Sequence, residues 1–555
     1  MIDFILSLFT YLFHPFAKTT TPADEQGMVQ LKNVKNTQKI NIGTNLTGIA
    51  DYSPQLPFID SFKSSRAWVW KGQEGPYLPI TTNLDRSGWL ASAKPPDGVA
   101  PEAVSMTFLF TGLKNKYPGG QYLVLYEGQG EMKYKLAATK NKSLSKPGRD
   151  VIDINAAKGN VVLQITSTDP KNTGDYIRNI RIIPAVAEKT ATDLYKEKKI
   201  NLSAAKIFNP DFQSVIEPFK TLRFMDWMRT NGSNQVKWSD RPTVTQAQWT
   251  TKKGVPVEIM VALANQQNAS PWFTMPHMAD DDYVRNFAQY VKNNLAPGKK
   301  IYVEYTNEAW NFGFTQSRWI NERAKEAGMK NVEWYARRSA QVINIWKAVF
   351  GEQSHRIVGV LGAQAGNLDT ASSGMAYLKK TGNAGAIDAI AIAPYFGGYL
   401  GRPEYASQVQ TLSVDDLFRE LTTGGVVMKP EGGQATPGGA LQQAYRNMQN
   451  YVNFTSKNNL QLVAYEGGQH LVGVRGVQNN KAITSLFIAA NRDERMGKLY
   501  EQYLNKWNQL GGGLFVNFSD VITPTKWGSW GILEDLKDVN NPKYKAVMRV
   551  KGQKE

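Results

Sequence analysis

Two glutamates follow apolar runs of the chain that we predict to be β-strands. Glu308 closes one run and Glu466 closes the other. Because side chains alternate along a strand, we expect Glu308 to share a face with Glu304, and Glu466 to share a face with Leu462 and Ala464. Two carboxyl groups on facing walls of a cleft can hydrolyse a glycosidic bond, one by protonating the leaving oxygen and the other from the opposite side.

The elements that would position these glutamates begin near residue 221. From there, short apolar runs alternate with longer helical segments such as Asp282–Leu295, Asn331–Phe350 and Ser485–Leu510, which indicates βα units and a parallel sheet. The predicted strands are Thr221–Met225, Val255–Leu263, Lys300–Tyr305, Ile357–Gly362, Ala389–Pro394, Gln461–Tyr465 and Leu514–Phe518. Ile40–Asn45 supplies an eighth strand, so we predict an α/β fold, a (β/α)8 TIM barrel. Active sites of such barrels lie at the carboxyl ends of the strands, where both glutamates stand.

Between residues 64 and 184 the sequence pattern changes. Short runs, some of which alternate apolar and polar residues, are separated by Pro, Gly and Asp. This pattern predicts an all-β sandwich inserted between the first and second barrel strands. The predicted organisation is a signal-like segment and linker over 1–26, the barrel over 27–63 and 188–555, and the sandwich over 64–187. The alternative is an independent N-terminal sandwich that uses Ile40–Asn45 itself, followed by an open α/β domain.

The placement of the glutamates resembles clan A of the glycoside hydrolases, a superfamily of retaining barrel enzymes. The resemblance rests on Asn307-Glu308 after the fourth predicted strand and on Glu466 after the seventh. It implies that Glu308 is the acid/base, that Glu466 is the nucleophile and that Asn307 binds the sugar 2-hydroxyl. Glu304 matches a further glutamate of many members, and Arg223 matches an arginine that keeps the nucleophile ionised. Arg223 could instead form a plain salt bridge with Glu304 or a neighbouring aspartate.

Other residues near the predicted strand ends are candidates for substrate binding. Tyr395 could donate to the nucleophile or simply pack. Trp272 and His277, expected after the third strand, fit a sugar-stacking ring and a polar contact, with local packing as the alternative. Asn45 could contact substrate or only tie down a loop.

The predicted eighth strand lacks the tryptophan that clan members often carry at its end. The chain there reads Asn517-Phe518-Ser519-Asp520, and the seventh-strand glutamate is followed by Gly-Gly-Gln-His. Trp527 and Trp530, in the next loop, are expected to supply the sugar platform instead.

Composition excludes several other chemistries. The chain has no Cys and only four His, which show no ligand spacing, so we predict no metal and no cofactor. Neither a nucleophile elbow nor a phosphate loop is present in the sequence. The formal net charge of +17 favours anionic partners such as acidic polysaccharide, although a solvated basic surface explains it equally. The sequence has no long run of basic residues, so we do not expect nucleic-acid binding.

The apolar segment Ile2–Phe16 is shorter than the about 20 residues that a membrane span needs, and it has the length of a signal-peptide core. Asp3 stands where a signal peptide usually carries Lys or Arg. We expect a secreted or periplasmic monomer without a stable membrane span. An amphipathic N-terminal helix packed on the protein is the alternative.

Taken together, these residues predict a retaining glycoside hydrolase that cleaves an extracellular or capsular polysaccharide in two steps. The alternative from another class is a non-catalytic polysaccharide-binding or exopolysaccharide accessory protein on a barrel scaffold.

Overall fold

The computed structural model describes residues 40–195 and 201–552, so the predicted signal-like segment lies outside the described residues. The strands are β1 (Ile42–Asn45), β2 (Val69–Lys71), β3 (Leu78–Pro79), β4 (Val104–Leu109), β5 (Gly120–Glu127), β6 (Gly130–Leu136), β7 (Ala138–Lys140), β8 (Arg149–Ile154), β9 (Val161–Thr168), β10 (Arg178–Pro184), β11 (Thr221–Arg223), β12 (Ser270–Met275), β13 (Ile301–Tyr305), β14 (Ile357–Gly362), β15 (Ala389–Ile392), β16 (Gln461–Ala464) and β17 (Phe515–Asn517).

The helices that surround and connect these strands are α1 (Pro210–Ile216), α2 (Val257–Gln266), α3 (Asp281–Asn294), α4 (Thr315–Glu326), α5 (Asn331–Phe350), α6 (Asp369–Lys380), α7 (Ala406–Val409), α8 (Val414–Thr422), α9 (Gly439–Lys457), α10 (Lys481–Arg492), α11 (Glu494–Gln509) and α12 (Pro542–Lys551). Among the described residues, none of these helices combines the length and the apolar character that a membrane crossing requires.

Eight parallel strands close into a barrel in the order β1, β11, β12, β13, β14, β15, β16, β17. The closure depends on β1, which pairs with β11 through Thr44 opposite Leu222 and with β17 through Ile42 opposite Phe515. The predicted (β/α)8 barrel is therefore confirmed. The alternative, in which the first strand belongs to a separate sandwich, is wrong.

One predicted barrel strand is wrong, because the run Val255–Leu263 forms helix α2 (Val257–Gln266). A continuous apolar run fits a buried strand and a helix that is buried all round equally well, and every residue from Val257 to Ala264 is buried. The third strand of the barrel is instead β12 (Ser270–Met275). Its second residue is Pro271, which argues against a central strand in a sequence pattern.

Strands β2 to β10 follow β1 in the chain and precede β11, and they form two antiparallel sheets. One sheet has the order β10-β5-β8-β7 and the other has the order β3-β2-β4-β9-β6. A common apolar core joins them, with Trp70, Leu109 and Leu163 from one sheet and Tyr122 and Ile182 from the other. An all-β unit is thus inserted after the first barrel strand, as predicted, whereas its limits of 64 and 187 stay a prediction.

Side-chain hydrogen bonds attach the inserted unit to loops at the carboxyl end of the barrel. Asp51, in the loop after β1, accepts hydrogen bonds from Arg66 Nη2 at 2.7 Å and from Thr111 Oγ1 at 2.5 Å. Lys116 Nζ donates to Thr523 Oγ1, in the loop after β17, at 3.1 Å. The inserted unit therefore flanks the barrel mouth on the side of its first and last strands.

The chain between β15 and α9 is an ordered excursion built around one buried carboxylate. Glu420 on α8 is 0% exposed and accepts the Tyr399 hydroxyl at 2.6 Å. Its second oxygen accepts the backbone N–H groups of Val426 and Val427 at 2.8 and 3.0 Å. Glu420 thereby bonds helix α8 to the first part of the excursion and to the loop directly after the helix.

Replacing Glu420 by Ala should destabilise the protein, because it leaves the buried Tyr399 hydroxyl, the buried Val427 N–H and the half-buried Val426 N–H without an acceptor. Each buried unsatisfied donor costs about 1–3 kcal/mol, so we expect the two buried ones to lower the free energy of unfolding by about 2–6 kcal/mol. Urea unfolding measures the change. Glu404→Ala is the control, because that partly exposed glutamate pairs with Arg402 at only 3.7 Å and should cost less than about 1 kcal/mol. Equal effects of the two substitutions would contradict the anchoring role of Glu420.

Candidate active site

Arg223, the last residue of β11, lies at the centre of a buried polar network at the barrel mouth. Its side chain is 0% exposed. Nη1 donates to Glu466 Oε1 at 2.9 Å and to Asn45 Oδ1 at 3.1 Å. Nη2 donates to Glu304 Oε2 at 2.9 Å and to Asn307 Oδ1 at 3.0 Å. One guanidinium group thus joins residues from the first, second, fourth and seventh strands, and it pairs with both Glu304 and the predicted nucleophile.

Glu466 has a hydrogen-bond donor on each of its oxygens. Oε1 accepts from Arg223, and Oε2 accepts from the Tyr395 hydroxyl at 3.0 Å. Of the two alternatives for Tyr395, the structure therefore favours donation to the nucleophile. The predicted face of the strand is wrong, however, because Leu462 and Ala464 pack outward in the core that includes the surrounding helices. Strand β16 ends at Ala464, and the chain beyond it no longer alternates, so Glu466 can turn into the mouth.

The two glycines after Glu466 have a packing reason. A Cβ atom on Gly467 would collide with the Phe515 ring and would lie 2.9 Å from the Tyr503 hydroxyl. Gly468 has a φ of +129°, a backbone conformation that favours glycine. The close approach of β17 and α11 to this turn therefore requires both glycines.

Glu308 is held by two neutral donors. Its Oε1 accepts the Tyr465 hydroxyl at 2.8 Å, and its Oε2 accepts the Asn311 side-chain amide at 2.9 Å. Strand β13 ends at Tyr305, and Glu308 itself has a φ of +42°, so strand alternation does not determine its direction. No sequence pattern indicated either partner, although Tyr465 directly precedes Glu466 and Asn311 follows Glu308 by three residues.

For Trp272 the structure favours the alternative of local packing, and the predicted position after the third strand is wrong. The residue lies on β12 and not in a loop after it, and its side chain is 0% exposed in the barrel interior. Its ring stacks on Tyr302 with centroids 5.1 Å apart, and its indole N–H donates to Glu304 Oε2 at 2.9 Å. Trp272 therefore holds Glu304 from below the mouth.

For His277 and Asn45 the structure favours the packing alternatives. His277 is 2% exposed and packs edge-on against Trp319, and burial lowers the pKa of the ring to about 4, which keeps it neutral. Asn45 donates its side-chain amide to the carbonyls of Tyr465 and Asn517 and accepts from Arg223. These bonds tie the first strand to the seventh and eighth.

Asn307 is positioned by a network that no sequence motif indicated. Its side-chain amide donates to Asn231 Oδ1 at 3.0 Å, and the same oxygen accepts from Gln316 at 2.6 Å. Gln316 also donates to the Asn307 carbonyl at 3.0 Å. Asn231 follows β11 and Gln316 begins α4, so two loops of the mouth converge on this one side chain.

Trp530 and Trp527 lie in the loop after the eighth strand, next to the Glu466 side of the mouth. Trp530 packs against Tyr395 with ring centroids 5.9 Å apart, and also against His470 and Phe518. Trp530 is 8% exposed and donates its indole N–H to the Trp527 carbonyl at 2.8 Å, while Trp527 is half-buried. Their predicted role as a sugar platform stays a prediction.

The electrostatics of the two glutamates are linked. Burial raises the pKa of Glu308 and of Glu466, and the charge of Glu308 raises the pKa of Glu466 further, while Arg223 opposes both shifts. A pair of this kind retains one proton at a pH where ordinary carboxyl groups have lost theirs. Arg223 bonds directly to Glu466 and not to Glu308, an arrangement that favours the negative charge on Glu466 and the proton on Glu308. Within the described residues, no cluster of three or more acidic or histidine side chains could hold a metal ion.

No protein-family model and no curated protein matches the chain. Similar solved structures include a broad-specificity endoglucanase from Clostridium acetobutylicum, 13% identical over 64% of this chain and 90% of its own, with a TM-score of 0.32. Another is a 4-O-α-L-rhamnosyl-β-D-glucuronidase from Fusarium oxysporum 12S, 12% identical over 62% of this chain and 64% of its own, with a TM-score of 0.36. A β-glucosidase double mutant from Trichoderma harzianum is 12% identical over 61% of this chain and 86% of its own, with a TM-score of 0.34.

Replacing Glu308 by Gln should stabilise the protein at neutral and alkaline pH. A carboxyl group whose pKa is raised by folding lends stability at low pH and loses it as the pH rises above the ordinary glutamate value of about 4.3. The amide carries no charge, so the variant should escape this loss. We expect its Tm at pH 8 to exceed that of the wild type by roughly 2–4 °C.

Thermal unfolding at pH 4 and at pH 8 measures this effect. The gain should shrink towards pH 4, and the exposed Glu322→Gln on α4 should show no such pH dependence. A gain of the same size at both pH values would show that charge burial is not its cause.

Proposed function

We propose that this chain is a retaining glycoside hydrolase of the clan A type. The observation that carries the proposal is the unequal surroundings of Glu308 and Glu466 at one barrel mouth. Glu466 accepts from a buried guanidinium and a phenol, which favour a carboxylate, whereas Glu308 accepts only from neutral donors. Asn307-Glu308 after β13 and Glu466 after β16 match the positions of the acid/base and the nucleophile in that clan.

In the first step the Glu466 carboxylate attacks the anomeric carbon. The bond from that carbon to the leaving oxygen breaks, the proton of Glu308 passes to this oxygen, and an ester joins the sugar to Glu466. In the second step Glu308, now charged, removes a proton from water while the water oxygen attacks the same carbon. The ester bond breaks, Glu466 is released as a carboxylate, and Glu308 is protonated again.

Arg223 and Tyr395 suit the part assigned to Glu466. Each donates to one of its oxygens, so the charged form is stabilised before attack and again when the ester breaks. The retaining mechanism requires the two carboxyl groups to lie about 5–5.5 Å apart, which we expect for Glu308 and Glu466. A separation beyond roughly 6.5 Å would indicate inversion or a non-catalytic protein.

We propose that the substrate is a polysaccharide that carries acidic groups. The net charge of +17 supports this choice. Two arginines, Arg402 and Arg475, lie in the segments that follow the sixth and seventh strands, and these segments come together where Val474 N–H donates to the Gly401 carbonyl at 2.9 Å. Export from the cell and a monomeric state belong to the same proposal and rest on the sequence alone.

The two glutamates can be separated by chemical rescue. Glu308→Ala should still form the glycosyl-enzyme from a dinitrophenyl glycoside, because this leaving group needs little protonation, and the intermediate should accumulate for want of a base. Added azide should attack that intermediate and give a glycosyl azide with the configuration of the substrate. Azide added to Glu466→Ala should give the opposite configuration. Product configuration is read by proton NMR.

Each outcome of this experiment has a defined meaning. Exchanged configurations would exchange the two assigned roles. Unchanged activity of both variants on a substrate that the wild type cleaves would contradict the glycosidase proposal. Binding of polysaccharide without any cleavage by the wild type would favour the non-catalytic alternative.

A panel of neutral and acidic polysaccharides tests the substrate class. We expect faster cleavage of an acidic polymer than of its neutral counterpart with the same linkage. Arg475→Gln should lower kcat/KM for the acidic polymer by about two- to fivefold, the effect of one exposed ion pair, and should leave the neutral polymer unaffected. Arg446→Gln, an exposed position on α9, is the matched control. Equal cleavage of both polymers by the wild type would contradict the proposed preference for an acidic polysaccharide.

A further inference from the structure

The Tyr465 hydroxyl forms a contact that crosses the barrel mouth. Tyr465 follows β16 directly, and its hydroxyl reaches Glu308 Oε1, beyond the end of β13, at 2.8 Å. The next residue in the chain is Glu466. One strand end therefore carries the proposed nucleophile and also a hydrogen-bond donor for the proposed acid/base on the opposite wall.

We propose that Tyr465 is a positioning residue that lowers the proton affinity of Glu308, which favours the first step of the reaction and slows the second. The inference rests on the proposed glycosidase function and deepens it. A donor to the carboxylate stabilises the charged form of Glu308. It therefore makes Glu308 a stronger acid when the glycosidic oxygen is protonated and a weaker base when water attacks.

The proton balance of the first step shows what the hydroxyl does. The proton of Glu308 moves to the leaving oxygen, and the electron pair of the broken O–H bond stays on the Glu308 carboxylate. Tyr465 keeps its own proton and donates a hydrogen bond to this developing charge. Burial raises the pKa of Tyr465 well above its ordinary value, so the phenol stays protonated and can only act as a neutral donor to the carboxylate.

The ring of Tyr465 is fixed independently of its hydroxyl. Tyr465 is 2% exposed, and its ring packs against Trp310 with centroids 6.3 Å apart. The guanidinium of Arg223 lies over the same ring, 5.0 Å from its centroid. Removing only the hydroxyl should therefore leave the ring and the barrel wall in place, while Glu308 loses one of its two donors.

Other charged and titratable groups also act on Glu308, and they come from several strand ends. The charged groups are Arg223, Glu304 and Glu466, and the neutral phenols are Tyr395 and Tyr465. Of these, Tyr465 is the group with a direct hydrogen bond to the Glu308 carboxyl. Asn311 supplies the other bond from its own turn and carries no titratable group.

The test is Tyr465→Phe in the full chain, assayed with aryl glycosides whose leaving groups differ in pKa. The alkaline limb of the kcat/KM profile reports the loss of the Glu308 proton in the free enzyme. We expect this limb to move to higher pH by about one unit. With a poor leaving group, kcat/KM should fall about tenfold, since a weaker acid is protonating the leaving oxygen. With a dinitrophenyl glycoside, whose turnover is limited by the second step, kcat should be unchanged or higher.

Two comparisons make this result specific. Tyr122→Phe removes another buried phenol, which donates to the Pro118 carbonyl at 2.9 Å in the inserted unit, and it should leave the profile unmoved. Replacing Tyr465 by a fluorinated tyrosine strengthens the donor without changing the shape of the ring, so the alkaline limb should move down. The fluorinated variant also tests the inference if Tyr465→Phe does not fold.

An equal loss in both steps with an unmoved alkaline limb would overturn the inference and make Tyr465 a purely structural residue. That result leaves the proposed function intact, because the wild type still cleaves the glycosides. If the wild type cleaves none of them under conditions where it binds the polymer, the proposed function fails, and the inference fails with it.

Discussion

The structure of the barrel mouth depends on a buried arginine that is shared by two carboxylates. Arg223 is fully buried and bonds to both Glu304 and Glu466 at 2.9 Å. Two negative groups with one positive partner would be unstable in a dry interior without further donors. Trp272 supplies one to Glu304, and Tyr395 supplies one to Glu466. The network therefore fixes how closely the second, fourth and seventh strands approach one another.

The same network separates the two glutamates that face the mouth. Glu466 is bound to the guanidinium and Glu308 is not. The negative charge is therefore favoured on Glu466 and the proton on Glu308. Two phenols repeat this division, because Tyr395 donates to Glu466 and Tyr465 donates to Glu308. Acid and nucleophile roles can thus follow from partners rather than from any difference between the two side chains.

Around this centre, the excursions from the barrel form the rim. The inserted all-β unit reaches the loops after the first and eighth strands through Asp51 and Lys116. The excursion after the sixth strand is ordered by Glu420 and runs beside the loop that follows Glu466. In barrels of this kind the strand ends carry the reactive groups, and the loops around them select the substrate. The buried network at the strand ends and the inserted segments around it fit this division.

The sequence by itself determined the barrel, the all-β insertion and the presence of Arg223, Glu308 and Glu466 at the mouth, because strand periodicity and strand ends are local features. The third strand was wrong for a local reason, since a fully apolar run describes a buried helix as well as it describes a strand. As a consequence, Trp272 was expected in a loop after the third strand, whereas it lies on that strand in the barrel wall. What only the tertiary structure decided is the pairing of side chains. Tyr465 reaches Glu308 across 157 positions of the chain, and Asn45 reaches the Tyr465 carbonyl across 420. No local pattern encodes such contacts, because they exist only when barrel closure brings the first strand beside the last and sets the seventh facing the fourth.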